Sequence, residues 1–419
     1  MKNKFATYEN GIVALSALVM GCLFCDRLSL TFLMPFVAKD LHLNDTQIGL
    51  LAGALSLAWA FSSYFSTAWA EANNRKKAVF VLAVFIFSLC SVGSGLAVSF
   101  GTLLLARFIM GFSEGAVIPL AQNFVEREST PSRLGFNSGI LQAVGSGLFG
   151  SIIGPVVLVS LAENLGWRNA FFIAGVPGLI LGLAAWFVIR KSTAESHPES
   201  PASAPPENEA SPGTRQDPLT FRELLRFNNI RYGIGLSCCV FGWWFATLPF
   251  ISKYFVDVQG MSPDDMGKTM GLLGVSGVLS GIIVPALSDR LGRKPVLLAF
   301  VALGVFYPFT VQFLNGSALH LPLMFLTYFM MGCLALVAAV IPSEAAPAAS
   351  RAKTMGLMMG IGEIVGGVLV PAMAGILSDK VNPSAFLWVS AAMAVIGLFF
   401  VARLQETAPA ILSKTKHLQ

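Results

Sequence analysis

Apolar runs of roughly 20 residues, the length that crosses the hydrocarbon core of a bilayer, recur along this chain from one end to the other. Read between loop signals, they lie near 11–37, 47–69, 78–98, 102–124, 136–161, 169–190, 231–254, 267–287, 294–314, 320–341, 354–377 and 384–403. Nothing between them is long enough for a soluble catalytic domain. Composition agrees: 55% of the 419 residues are hydrophobic and 12% charged, with a mean hydropathy of +0.69, where a soluble surface needs about twice that charge. The expectation is an all-α membrane protein of twelve transmembrane helices.

The net charge of +5 does not point to nucleic acid, because Lys and Arg fall in short clusters between apolar runs. Arg75-Lys76-Lys77, Arg127 with Arg133, Arg290 with Arg293-Lys294, and Arg351 with Lys353 all fall on the side of the two termini. By the positive-inside rule that side is cytoplasmic; the expected location is the cell's inner (plasma) membrane, with both termini inside. The basic start MKNKFATYENG leads into a full-length run without a small-residue cleavage site, so it reads as a retained first helix. The six cysteines lie in apolar runs without metal-ligand spacing, which argues against zinc and structural disulfides. No cofactor motif, phosphate loop or nucleophile–base pair is visible, so no enzyme is expected.

Between the sixth and seventh runs, KSTAESHPESPASAPPENEASPGTRQDP is too polar and proline-rich to bury a core. The expected organisation is an N-terminal six-helix bundle (1–190), a flexible cytoplasmic linker (191–220) and a C-terminal six-helix bundle with a short tail (221–419). FRELLRFNNIRYG sets Phe221, Leu224, Leu225 and Phe227 among basic residues, as in a short interfacial helix or a plain linker end.

The halves repeat. Glu71 and Arg75 recur as Asp289 and Arg293, Glu126 as Glu344, and Arg133 as Arg351, each pair 218 positions apart. Four coincidences at one offset identify a duplicated six-helix unit. All eight residues lie in loops on the termini side, where acid and base at matching helix ends suit a gate that latches and releases, or are solvated loop charges. The offset also fails informatively: Asp26 and Arg27 map to Trp244 and Phe245, Glu114 to Gly332, and Glu363 to Gly145. Charges that break the symmetry of a duplicated frame are candidates for its working site.

SDRLGRKP (Ser288 to Pro295), with its degraded copy AEANNRKK carrying Asn74 where glycine is usual, resembles the loop signature of the major facilitator superfamily. Within it the chain is similar to the anion:cation symporters through CDRLSLTFLMP, RFIMGFSEGAVIP and GWRNAFFIAGVPG. Bacterial spinster-like transporters share a similar Asp-Arg and fourth-helix Glu. The resemblance implies the major facilitator fold, with Arg27 holding a substrate carboxylate, Asp26 and Glu114 taking protons, and Arg107 at the position often used for proton handling. Two departures favour an apolar acid over a polyhydroxylated one: Phe24 and Trp59 stand where tyrosines are common.

In physical terms, Asp26, Arg27, Glu114 and Glu363 sit near mid-membrane, where an unpaired charge costs about 2.5–3.5 kcal/mol on insertion scales. Sequence neighbours point about 100° apart on a helix, so Asp26 and Arg27 should each find a partner elsewhere. Arg27 offers a planar donor fork to a carboxylate, either an acid of the protein or the substrate. Trp59, Gln142, Trp243, Trp244 and Glu363 are candidate substrate contacts; tryptophans in spans also serve packing, and Glu363 in GIGEIVGG also suits a helix-packing hydrogen bond. The glycines of the fifth run, Gly145 to Gly154-Pro155, suit close helix crossing and a kink, and GSIIGP partly resembles an antiporter fragment. The expected function is proton-coupled uptake of a small organic anion by a monomer; the alternative is a proton-coupled antiporter exporting an amphiphilic anion or lipid.

Overall fold

The computed structural model describes residues 2–190, 219–409 and 411, so the expected linker lies outside the described residues up to position 218. Among the described residues there are twelve helices long and apolar enough to cross a membrane and no strands. They are α1 (Tyr8–Asp40), α2 (Asp45–Ala72), α3 (Lys76–Gly95), α4 (Phe100–Glu128), α5 (Leu134–Leu165), α6 (Trp167–Val188), α7 (Asn228–Asp257), α8 (Pro263–Leu291), α9 (Arg293–Phe313), α10 (His320–Ala345), α11 (Ala348–Lys380) and α12 (Ala385–Arg403). Each expected run has its helix. Polar caps set the starts of α2 and α4: Asn44 with Gln47, and Ser99 with Thr102, form reciprocal capping boxes that satisfy orphan N–H donors. The expected interfacial segment is one helical turn, Phe221–Leu224, whose Leu224 is buried against Ile230 and Ala346 while Phe221 stays exposed.

The repeat is structural as well as sequential. The turn between α2 and α3 puts Asn74 at φ +51°, and Gly292, 218 positions on, takes φ +103° between α8 and α9. Both positions need the left-handed region, which asparagine tolerates better than most side chains. Helices α5 and α11 also match: π-helical turns occupy Leu141–Ile153 and Val365–Leu369, which overlap after the shift. Wide turns of this kind loosen the backbone ladder where two helices must slide or bend.

The halves meet on the membrane face away from the termini. One apolar cluster joins Leu28, Met34, Ile48, Leu51 and Val159 of the first half to Trp243, Phe255, Met266 and Val370 of the second. On the termini face, the first half keeps a core of its own, with Val19, Phe80, Val84, Leu120 and Phe124. Two seams close the far face. In one, α2 packs on α11, with Gly49 against the Pro371 carbonyl; in the other, α5 packs on α8, with Gly274 against the Ser151 carbonyl. Nearer the termini, Gly139 of α5, Gly281 of α8 and Gly360 of α11 have open space beside them. The conformation is therefore closed on the far face and parted on the termini face.

A leucine at Gly274 would overlap the Ser151 backbone, and interiors at native density do not absorb that volume. Gly274→Leu is expected to hold the far face open, read as a longer spin-label distance between α5 and α8 there. An unchanged distance distribution would show that the seam does not control closure.

Candidate functional site

Midway along α1, Arg27 is the meeting point of the two halves. Its Nη2 donates to Glu363 Oε1 of α11 at 3.2 Å, and its Nη1 lies 3.5 Å from Glu114 Oε2 of α4. The guanidinium sits over the Trp59 ring of α2, 5.3 Å from its centroid, a cation–π geometry. Both carboxylates are buried, and among the described residues Glu114 makes no hydrogen bond with either oxygen. Its contact with Arg27 is thus charge proximity without a directed bond, and Glu363 holds the better one.

Asp26 points elsewhere, as the helical period requires. It is fully buried, its Oδ1 accepts from Ser91 of α3 at 2.9 Å, and its Oδ2 has no partner among the described residues. Behind it, Arg107 of α4 donates through Nη1 to the Asp26 carbonyl at 3.1 Å and through Nη2 to Ser29 Oγ at 3.2 Å. Arg107 is 1% exposed, no carboxylate of the described residues forms an ion pair with it, and its Nε–H has no acceptor. The cluster therefore holds two guanidinium groups and three carboxyls, of which only Arg27, Glu114 and Glu363 face one another.

The other expected contacts separate. Trp243 cannot line a cavity: it is fully buried, donates Nε1–H to the Gly304 carbonyl at 3.1 Å, and packs on Tyr307 and Tyr328. Its neighbour Trp244, about 100° around the helix, is partly exposed and lies beside Phe245. Gln142 is exposed on α5 and outside the Arg27 contacts.

Of the expected gate, one part assembles. Arg293 binds Asp289 at 2.5 Å and Glu344 at 2.8 Å, and Thr407 also donates to Glu344. All of these residues belong to the second half, so the cluster braces α8, α9 and α10 and does not bridge the halves. Glu406, which the sequence did not single out, completes it by accepting the Arg293 and Lys294 backbone N–H groups at 2.7 and 3.1 Å. Burial works against its charge, but these donors with those of Ala408 and Thr407 outweigh it and hold its carboxyl below the usual range. In the first half the equivalents do not pair. The left-handed turn at Asn74 makes Arg75 the cap residue of α3, and Lys76 takes Glu71 at 3.2 Å instead. Glu126 accepts from Gln122, Arg133 reaches Glu9 and Asn10, and Arg351 forms no ion pair among the described residues.

A cross-half contact that the sequence did not announce lies on the far face. Asp379, at the end of α11, accepts the backbone N–H groups of Asp45 and Thr46, each at 2.8 Å, and the Thr46 hydroxyl at 2.5 Å. A carboxylate on the first turn of α2 meets both the orphan donors and the positive end of the helix dipole. Lys253 of α7 adds a salt bridge to Asp45 at 2.9 Å. Asp379 maps to Leu161 and Lys253 to Pro35, so this latch also breaks the repeat. Asp379→Ala is expected to raise the rate at which a cysteine placed in the far-face seam reacts with a membrane-impermeant thiol reagent, by several fold. An unaltered rate would mean that the apolar seam alone holds the face shut.

The profile described as Major Facilitator Superfamily matches residues 16–364 and 286–417. Among characterised relatives, a probable sulfoacetate transporter of Cupriavidus necator is 24% identical, over 91% of this chain and 89% of that protein. A sialic acid transporter of Escherichia coli is 26% identical over 84% of this chain and 83% of its own. A hexuronate transporter of Bacillus subtilis is 26% identical over 65% and 64%. Among solved structures, a bacterial homolog of the human lysosomal transporter Spinster aligns with a TM-score of 0.72 at 18% identity, covering 94% of this chain and 96% of the other. A nucleoside transporter aligns at 0.74 with 14% identity, covering 94% and 100%.

Proposed function

This chain belongs to the Major Facilitator Superfamily, a transporter and not an enzyme, and from that premise we propose that it takes up a small organic carboxylate together with protons by alternating access. The observation that carries this reading is the placement of Arg27 between Glu114 of one half and Glu363 of the other. An arginine fork held by two protein carboxylates is a site that an external carboxylate enters by exchange. The carboxylate it displaces is left buried without its counter-ion, a state that costs several kcal/mol unless a proton neutralises it. Anion and proton therefore load together. Asp26, buried with a single hydroxyl donor, is the second proton carrier in this scheme. Relatives named for organic anions support the substrate class.

The termini face is cytoplasmic in this reading, so the conformation described above is open to the inside with the far face sealed. With the substrate gone, Glu363 rests on Arg27 and ties the two halves across the centre of the membrane. Binding of an acid from outside would replace that tie by one that the substrate carries. Two protons with a monoanion would move net positive charge inward, so that the membrane potential adds about 2.3 kcal/mol per charge per 100 mV.

Uptake in proteoliposomes tests direction and coupling together. An inward proton gradient is expected to concentrate radiolabelled acid inside, and a valinomycin-set negative potential to increase it further. Expulsion of preloaded acid by the same gradient would instead establish the antiport reading, which the apolar replacements Phe24 and Trp59 favour.

A further inference from the structure

On the termini face, the end of α12 packs on both α7 and α9, and three cations gather there. Asn228 of α7 donates to the Arg403 carbonyl at 3.0 Å, and Arg231, one turn along, donates to the Asn228 side chain at 3.2 Å. From α9, Lys294 donates through Nζ to the Ala402 carbonyl at 2.8 Å. Two guanidiniums and an ammonium therefore surround the last carbonyls of α12, the negative end of its dipole. Both arginines lie on aromatic rings, Arg403 on Phe399 at 5.0 Å and Arg231 on Tyr232 at 4.8 Å. Stacking covers one face of each guanidinium and leaves N–H groups for other partners.

None of the three cations has an ion pair among the described residues. Asp289 and Glu344 are both taken by Arg293, and Glu406 accepts the backbone N–H groups of Arg293, Lys294, Thr407 and Ala408. Three cations against that one nearby carboxylate leave a surplus of two positive charges. The duplicated frame does not require them. Arg231 maps to Val13 and Arg403 to Ala185, both buried and apolar. Lys294 maps to Lys76, which the first half neutralises with Glu71 at 3.2 Å. Further along the span, Phe399, Ile396 and Val395 are exposed on α12, at a depth where the surroundings are acyl chains.

We propose that this corner binds an anionic phospholipid of the leaflet on the termini side, with a headgroup of two phosphates. The phosphates accept from Arg231, Arg403 and Lys294, and the acyl chains run along Phe399, Ile396 and Val395. Basic pockets between transmembrane helices suit such headgroups. A guanidinium fork meets phosphate oxygens in pairs, and two phosphates match the surplus charge. A soluble phosphate would meet the same cations but make no use of the apolar strip beside them. The corner shares no residue with the Arg27 cluster, and it lies away from the α2–α11 and α5–α8 seams.

Native mass spectrometry of the purified full-length transporter, with cardiolipin, phosphatidylglycerol, phosphatidylethanolamine and pyrophosphate as probes, tests the assignment. Cardiolipin is expected to stay bound at collision energies that strip phosphatidylethanolamine, with phosphatidylglycerol between them. The triple variant Arg231→Gln, Lys294→Gln, Arg403→Gln should lower the cardiolipin-bound fraction at least fivefold. Arg403→Gln alone removes a side chain that makes no hydrogen bond among the described residues, so its lipid-free melting temperature should match the wild type while the bound fraction falls about twofold. Lys77→Gln with Arg190→Gln is the control. It removes cations that stack on Trp186 and Tyr8 in the first half, and should leave the bound fraction nearly unchanged. Equal losses in the control and the triple variant would reduce the corner to part of a uniformly basic rim and overturn the proposal. So would full retention of cardiolipin by Arg403→Gln, phosphatidylethanolamine or phosphatidylglycerol held as tightly as cardiolipin, or displacement of cardiolipin by pyrophosphate at equal concentration.

Discussion

Arg27→Ala is expected to abolish concentrative uptake and to weaken acid binding by two to three orders of magnitude. Removing one member of a buried, hydrogen-bonded charge pair costs about 2–5 kcal/mol, and each 1.4 kcal/mol is about tenfold in affinity. The same substitution strips Glu114 and Glu363 of their shared counter-ion. A buried pair broken from one side loses roughly 3–5 kcal/mol of stability, so the variant should also melt earlier. The two effects separate in the triple variant Arg27→Ala, Glu114→Gln, Glu363→Gln, which removes the orphaned charges. Its melting temperature is expected to recover while acid binding stays lost. Arg27→Lys keeps the charge but not the fork and should fall between wild type and alanine in affinity. Recovery of acid binding in the triple variant would mean that Arg27 only neutralises the two acids and never meets substrate.

The frame of this protein was open to reading because lipid imposes a simple rule: every span must be long, apolar and helical. The duplication was equally plain, and it reaches the backbone, since Asn74 and Gly292 make the same left-handed turn. The repeat-breaking charges were visible as a set, but their partners were not. Whether Arg27 would meet Asp26, Glu114 or Glu363 depends on how α1, α4 and α11 are rotated about their axes, and apolar spans carry almost no amphipathic signal to fix that. Trp243 and Trp244 show the same limit, because adjacent tryptophans in one apolar helix differ only in the direction they face. Cross-half contacts such as Asp379 on the start of α2 were hidden for another reason. A carboxylate at a loop looks solvated until the chain that covers it is known.

The charged loop residues of the termini face show how one offset can carry a shared frame and unlike contacts. Arg293 gathers Asp289, Glu344 and, through its backbone, Glu406 into a brace within the second half. The first-half copies lack it, with Arg75 displaced to a helix start and Arg133 turned toward α1. One half is thus braced by ion pairs at the termini face where the other is not. On the far face the asymmetry is carried by the latch, which contributes Asp379 and Lys253 from the second half to the start of α2.

Glu114→Gln separates coupling from binding. The glutamine is nearly isosteric, and the contact it replaces is a 3.5 Å charge proximity without a hydrogen bond. Arg27 also keeps its bond to Glu363. Folding should therefore be little affected, by less than about 1–2 kcal/mol, as for a site whose partner retains another counter-ion. Transport should change far more. An amide cannot take up and release a proton, so the step that pairs anion entry with neutralisation is lost. Uptake driven by an inward proton gradient is expected to fall to the level of passive equilibration. Exchange of internal for external acid, which needs no net proton movement, should continue. Wild-type uptake should rise as the external pH is lowered, while exchange by Glu114→Gln should be flat across the same range. Undiminished pH-driven accumulation by Glu114→Gln would move the coupling role to Asp26 or Glu363, which leaves Asp26→Asn and Glu363→Gln as the variants that decide between them.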